Sequence, residues 1–288
     1  MITLRFTDKT SCRLPMGWDE ISPDNAQVFI RLCSCFELFE TGVIDFQSFQ
    51  IGISSALLGM NVSKCGTFTE AMGENLYRLN GYLTFPYRIR ENEDGSRTAS
   101  VNILLKQNLL TKVKGRVPYT FFVTDDGYVD CSIKAEQYVE LLELLELYGS
   151  SRSDTVLNAL FDTLYPGVSK VSRAMKVAVY YNLRGILDWI KKIPDFRLIF
   201  TPSSRPAAGA SSPLGLSSSM FSLSKSGYGT LQEIKELDLF TYLAALVQLN
   251  IDGILSLRSA GLGAGEIAEK MNLPVECIIP YITTEIPE

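Results

Sequence analysis

A run of glycine, serine, proline and alanine from Pro202 to Gly229 divides this chain into a long body, 1–201, and a short apolar tail, 230–288. Such a composition buries too little apolar surface to offset the entropy of ordering it, so 202–229 reads as a flexible linker. Its few large apolar residues, Met220, Phe221 and Leu223 among them, allow a short helix or docking patch. Any core must be built on either side of this run.

The body is long enough to fold unaided, because 201 residues exceed a typical domain of roughly 100–200. With 46% hydrophobic and 20% charged residues, the chain is too apolar for disorder outside the linker. A formal net charge of −5 provides no long-range attraction to phosphates, so no nucleic acid is expected as a partner. No stretch holds 18 uninterrupted apolar residues and Met1–Thr10 lacks a signal-peptide pattern, so no membrane is expected either. The six cysteines are scattered; Cys33 and Cys35 form the one close pair, within a helix, and read as core residues.

The count that bears most on function is that of histidine, which is zero. Histidine is the commonest general base and metal ligand near neutral pH, so its absence removes Ser-His-Asp and Cys-His catalysis and most catalytic zinc sites. No cofactor or metal is expected, and carboxylate or lysine chemistry is what remains open to an enzyme.

Apolar spacing and capping residues predict an α+β protein with a mostly helical body. A hairpin is predicted from Ile2–Phe6 and Ser11–Leu14 around the turn Thr7–Thr10. A helix follows the Ser22 cap and Pro23, with apolar residues at Val28, Leu32, Phe36 and Phe39. Further helices are predicted over Asp45–Leu58, Thr69–Leu79, Lys134–Tyr148, Asp154–Tyr165 and Val171–Ile193. Strands are predicted over Leu83–Arg90, Ala99–Leu105, Tyr119–Val123 and Tyr128–Ile133, with Asp-Gly turns at Gly95 and Gly127. The tail is predicted to hold a single helix over Leu231–Asn250, then Gly265–Met271 and Val275–Ile282.

No catalytic constellation emerges from these elements. Asp125 and Asp126 precede Gly127 as a hairpin tip, without the ligand spacing of a calcium loop. Asp19 and Glu20 are adjacent, point in different directions, and have nothing beside them to separate their pKa values. The glycines of Ser259–Gly265 follow a helix instead of a buried strand, which is wrong for a phosphate loop. Gly265–Ile282 has the outline of a helix-turn-helix, but its second helix offers only Glu276, Cys277 and Tyr281 as polar contacts. The apolar helix beginning at Leu231 is richer than one surface stripe requires, so it docks on its own body, on a partner, or on a second copy.

Two passages resemble tail assembly chaperones of phages and prophages. One is the opening strand followed by Leu14-Pro-Met-Gly-Trp-Asp-Glu-Ile21. The other is Ala178-Val-Tyr-Tyr-Asn-Leu-Arg-Gly-Ile-Leu-Asp-Trp189, followed by a low-complexity segment and the apolar helix Leu231–Leu249. The resemblance implies a non-enzymatic factor in the cytoplasm of a bacterial host, or associated with the virion. Such a factor keeps a partner such as the tape-measure protein soluble during assembly. On this expectation Trp18 anchors the first helix, and Leu237, Phe240, Leu243 and Val247 contact other phage or virion proteins or a second copy. The alternatives are a structural virion component, an enzyme gathering Asp19, Glu20, Asp125, Asp126 and Lys134, and a DNA-binding regulator using Gly265–Ile282.

Overall fold

The structure, a computed structural model, describes residues 1–5, 11–60, 69–201 and 217–283. The turn expected at Thr7–Thr10, Cys65 and the linker residues 202–216 lie outside the described residues. The fold is α+β, with helices predominating over small antiparallel two-stranded sheets. It forms two compact units, one of residues 1–130 and 144–189, the other of residues 131–143 and 190–288. The second unit thus takes in 131–143 and 190–201, which the sequence reading assigned to the body.

The first unit opens with β1 (Ile2–Arg5) paired to β2 (Ser11–Leu14). Ser22 caps a short 3-10 turn, Pro23–Asn25, accepting from Asp24 N at 3.2 Å, and α1 (Ala26–Glu40) continues from it. Asp45 caps α2 (Phe46–Leu57) through Ser48 N at 2.7 Å, and Thr69 caps α3 (Glu70–Asn80) through Met72 N at 3.3 Å. The three helices enclose an aromatic core. The Trp18 ring meets Phe29, Phe36 and Phe85 edge-on, Phe36 meets Phe49 and Tyr181, and Phe39 stacks on Phe49 at 4.2 Å.

The hairpin of β3 (Tyr87–Glu91) and β4 (Arg97–Val101) lies beside this core, Tyr87 packing on Phe46 and Phe49. The expected strand Ala99–Leu105 stops at Val101. Beyond it the chain is held irregularly on α6 (Arg173–Ile190), where Leu105 N bonds Gly185 O at 3.0 Å. Two buried asparagines secure this segment: Asn182 Nδ2 donates to Asn108 Oδ1 (2.9 Å) and Tyr119 OH (2.8 Å), and Leu109 N donates to Asn182 Oδ1 (3.0 Å). These amides satisfy backbone that a sheet ladder would otherwise occupy. The short pair β5 (Phe121–Val123) and β6 (Val129–Cys131) follows, then α4 (Ala135–Ser151), which begins in the second unit and ends in the first, and α5 (Asp154–Leu164).

In the second unit, after the short α7 (Arg197–Phe200), the expected linker holds a helix, α8 (Ser217–Lys225), that buries Met220 and Leu223. The single helix expected from Leu231 is two, α9 (Leu231–Glu236) and α10 (Leu239–Ser259). The break has a backbone cause. Leu237 O accepts from Ala135 N and Leu239 N donates to Ile133 O, both at 2.9 Å, so the chain extends to pair with 133–135. Asp238 then caps α10 through Thr241 N at 2.9 Å.

The last helices, α11 (Ala264–Met271) and α12 (Val275–Thr283), pack on α10 through Ile254, Ile267, Cys277 and Ile278. Among the described residues α10 is one helix long and apolar enough to cross a membrane by length and composition, at 21 residues with an 18-residue window of mean hydropathy 1.4. The criterion of an uninterrupted apolar run passes over it because Gln248, Asn250 and Asp252 break the run.

Candidate functional site

The surface feature with the most definite chemistry in the first unit is a groove along β4. Antiparallel strands alternate residues that exchange both backbone bonds with residues that turn those groups outward. The β3–β4 ladder is flanked by Asn92 N to Ser96 O (2.8 Å) and Asn102 N to Pro86 O (2.9 Å). With the register Arg88↔Ser100 and Arg90↔Thr98, these pairs exchange bonds in the same phase. The N–H and C=O of Arg97, Ala99 and Val101 therefore face away from β3. Among the described residues the sheet has two strands, and no third strand takes these groups up.

Two adjoining depressions run along this strand and share Phe39 and Ala99. The first, about 710 Å³, is lined by Phe39, Phe46, Gln47, Gln50, Tyr77, Ile89 and Arg97–Ala99. Its base is polar but satisfied: Gln50 Nε2 donates to Tyr87 OH (3.1 Å), Tyr87 OH to Asn80 Oδ1 (2.8 Å), and Asn80 Nδ2 to Gln50 O (3.0 Å). Tyr77 and Ile89 stand 44% and 53% exposed at its edge. The second depression, about 530 Å³, is lined by Glu40, Ala99, Ser100, Val101, Gly149, Arg152, Tyr180 and Arg184.

The second depression has a charged floor. Glu40 Oε2 accepts from Arg152 Nη2 at 2.7 Å and Tyr181 OH at 2.9 Å, and the carboxylate accepts from Arg184 Nη1 at 2.8 and 3.0 Å. Burial pushes the Glu40 carboxyl upward; the Arg184 charge and the hydrogen bonds from Arg152, Arg184 and Tyr181 outweigh it, so its pKa lies below the ordinary value. Burial and then the Glu40 charge hold the Tyr181 hydroxyl above its usual range. One turn earlier, Glu37 takes a bidentate contact from Arg173 at 2.6 and 2.9 Å.

Arg152 has the most constrained position. It sits at the corner between α4 and α5 with φ at +52°, in the left-handed region that side chains larger than glycine rarely occupy. Its Nη1 is buried without a hydrogen-bond partner, and the guanidinium carbon lies 5.4 Å from the Tyr148 ring centre and 5.7 Å from that of Tyr180. The ring faces supply a cation–π contact where a hydrogen-bond acceptor is lacking.

The residues expected to contact partners are engaged within the chain. Trp18 is buried and donates Nε1–H to Asn102 O at 3.0 Å, so it anchors the start of the first helix and offers no free surface. Leu243 is buried, Phe240 meets Phe196 at 5.6 Å, Val247 packs against the α10–α12 core, and Leu237 is half-buried at the break before α10. Of the groups that an enzyme would have to gather, Asp19 pairs with Lys106 at 3.7 Å, Glu20 accepts from Met16 N at 2.8 Å, and Asp126 accepts from Thr124 in its own turn. Lys134 belongs to the second unit, in an extended bridge with Asp238. No group of three or more cysteines, aspartates or glutamates is placed to hold a metal ion among the described residues.

Sequence reasoning missed Glu40, Arg97, Arg152 and Arg184. One signal was present. Glu37 and Glu40 occupy the last turn of α1, at the negative end of the helix dipole, where carboxylates are unfavourable unless cations attend them.

Fold and groove together define an α+β protein with an open sheet edge set in a partly aromatic, partly arginine-lined cleft. No protein-family model, curated protein or solved structure matches the chain.

Proposed function

We propose that this chain is a non-enzymatic factor that binds other proteins, receiving an extended segment of a partner as a third strand on β4. The observation that carries the proposal is the outward row of N–H and C=O groups at Arg97, Ala99 and Val101, unpaired and running the length of a groove. Strand addition gives affinity through main-chain hydrogen bonds and specificity through pockets for alternate side chains, and both parts are present. Of the carboxylates that might have served as acid or base, Glu37 and Glu40 are held by arginines, Asp19 pairs with Lys106, and Asp126 accepts within its own turn.

The direction toward phage tail or virion assembly comes from the resemblance of Leu14–Ile21 and Ala178–Trp189 to tail assembly chaperones. On that reading the tape-measure protein is the partner to test first, in the host cytoplasm or on the virion. A chaperone of such a protein must hold long stretches of unfolded chain, and an edge strand engages backbone irrespective of most side chains.

The test is co-expression with the products of the neighbouring genes, comparing the full chain with Ala99→Pro. Proline removes an N–H that the β3–β4 ladder does not use, a substitution edge strands tolerate. The proposal expects a tail or virion protein to be recovered with the native chain and lost with the variant, and amide exchange at Arg97, Ala99 and Val101 to slow in the complex. Equal recovery with both chains would remove β4 as the binding edge.

A further inference from the structure

We infer that the segment received by β4 is acidic, with carboxylates four residues apart flanking an apolar residue. This rests on the strand-addition reading and specifies its partner. The lining of the two depressions carries three arginines, Arg97, Arg152 and Arg184, against one carboxylate, Glu40. The groove is therefore positive in a chain whose formal net charge is −5. Arg97 is exposed and has no ion pair among the described residues; Glu91 stands opposite it in the ladder without coming within 4 Å. At the other end the Glu40 carboxylate is shared by two guanidinium groups, and Asp188 makes a longer 3.7 Å contact with Arg184.

The spacing follows from strand geometry. Arg97 and Val101 lie four residues apart, about 13 Å at a rise near 3.3 Å per residue, and alternate side chains of an added strand share one face. A carboxylate at the first position of a five-residue segment then lies beside Arg97, and one at the fifth lies toward Arg152 and Arg184. The central side chain falls between them, at the junction of the depressions where Phe39 offers an apolar surface. Arginine pairs with carboxylates in short, charge-assisted bonds, so these contacts add selectivity to the main-chain bonds. A peptide fits better than a nucleic acid strand, because the outward amides require an alternating donor and acceptor row that a phosphodiester backbone lacks.

The experiment is fluorescence anisotropy of the full chain with labelled nine-residue peptides. All share a central glutamate-threonine-valine-threonine-glutamate or the same segment with both glutamates replaced by glutamine or by lysine. The inference expects the acidic peptide to bind roughly tenfold or more tightly than the glutamine peptide, and the lysine peptide more weakly still. Arg97→Gln, an exposed change that leaves the core untouched, should narrow the acidic preference about tenfold, as should raising the salt. Ala99→Pro, with folding checked by circular dichroism, should abolish binding of every peptide. Equal binding of acidic and glutamine peptides, both lost in Ala99→Pro, overturns the acidic preference and leaves strand addition standing. Binding unaffected by Ala99→Pro, or no binding of any peptide, overturns both. Displacement of the acidic peptide by a thymidine oligonucleotide, with loss of oligonucleotide binding in Arg97→Gln, overturns the inference in favour of a general polyanion site.

Discussion

Replacing Glu40 with glutamine tests whether the floor of the groove is held together by charge. The carboxylate receives bonds from Arg152, Arg184 and Tyr181 between 2.7 and 3.0 Å, and its side chain is 16% exposed, against 21% and 29% for the two arginines. Glutamine keeps the shape but puts an NH₂ where one oxygen faced a guanidinium, and it removes the charge that Arg152 and Arg184 share, leaving Arg184 the longer 3.7 Å contact with Asp188. Breaking a fully buried pair costs about 3–5 kcal/mol; with this degree of solvent access we expect about 2–4 kcal/mol. Both tryptophans, Trp18 and Trp189, belong to the first unit, so urea unfolding followed by tryptophan fluorescence reports the unit that holds the substitution. At about 2–3 kcal/mol per molar, a loss of 3 kcal/mol lowers the midpoint by about 1 M with an unchanged slope.

The pH dependence supplies a second readout. The folded pKa of Glu40 is depressed, so its contribution is complete above the unfolded value, about 4.3, and disappears as pH falls through the folded value. The gap between native chain and variant should therefore be constant near neutrality and close in acid. A loss below about 1 kcal/mol at pH 7, or a gap that persists undiminished at low pH, would refute the view that this carboxylate organises the two arginines.

Three further substitutions or treatments probe the frame around the groove. A Cβ at Gly185 would lie 2.4 Å from Ile103 Cγ2 and 2.9 Å from Leu105 Cγ, so Gly185→Ala should cost about 1–3 kcal/mol despite the helix propensity gained; a raised melting temperature would deny this close approach. Leu243→Asp buries a carboxylate in the second unit and should destabilise it by about 4 kcal/mol or more, read as faster proteolysis of 217–283; unchanged protection would return Leu243 to the list of surface contacts. Burial, and then the neighbouring Cys35, push the Cys33 thiol well above its usual pKa, so iodoacetamide at pH 8, with sites read by peptide mass spectrometry, should leave Cys33 unmodified until urea is added; labelling at Cys33 in the native chain would contradict its burial.

Where structure is set by near neighbours, the sequence was readable. Asp45 and Thr69 sit at the starts of α2 and α3 with their side chains on the backbone N–H groups three residues on, and Pro166 follows α5 closely. Where partners are distant in the chain, apolar periodicity misled. Leu231–Asn250 has a continuous helical pattern, yet it opens at Leu237–Asp238 because 133–135 offers backbone partners about a hundred residues earlier in the chain. The segment after Val101 has strand-like residues, but Leu105 N bonds Gly185 O of α6, Gln107 makes one isolated bridge to Phe122, and Asn182 and Asn108 take the amides of Leu109 and Leu110. Side-chain amides acting across 74 residues leave no periodic trace.

The groove was less legible still, because each wall comes from a different region: Phe39 and Glu40 from α1, Arg97–Val101 from the hairpin, Arg152 from a corner, and Tyr180 and Arg184 from α6. Its logic appears once the edge strand is considered as a hazard. An open strand edge invites pairing with any extended chain, and proteins commonly shorten, charge or cover such edges. Here β4 is only five residues long, carries Arg97, and borders depressions lined by Phe39, Arg152, Tyr180 and Arg184. A short, charged edge discourages sheet-to-sheet association. On the proposed reading, such an edge beside an open groove suits a factor whose partner is unfolded when they meet. On that same proposal the Glu40 network that fixes the charged lining serves binding more than stability, since buried ion pairs contribute little net stability over apolar packing.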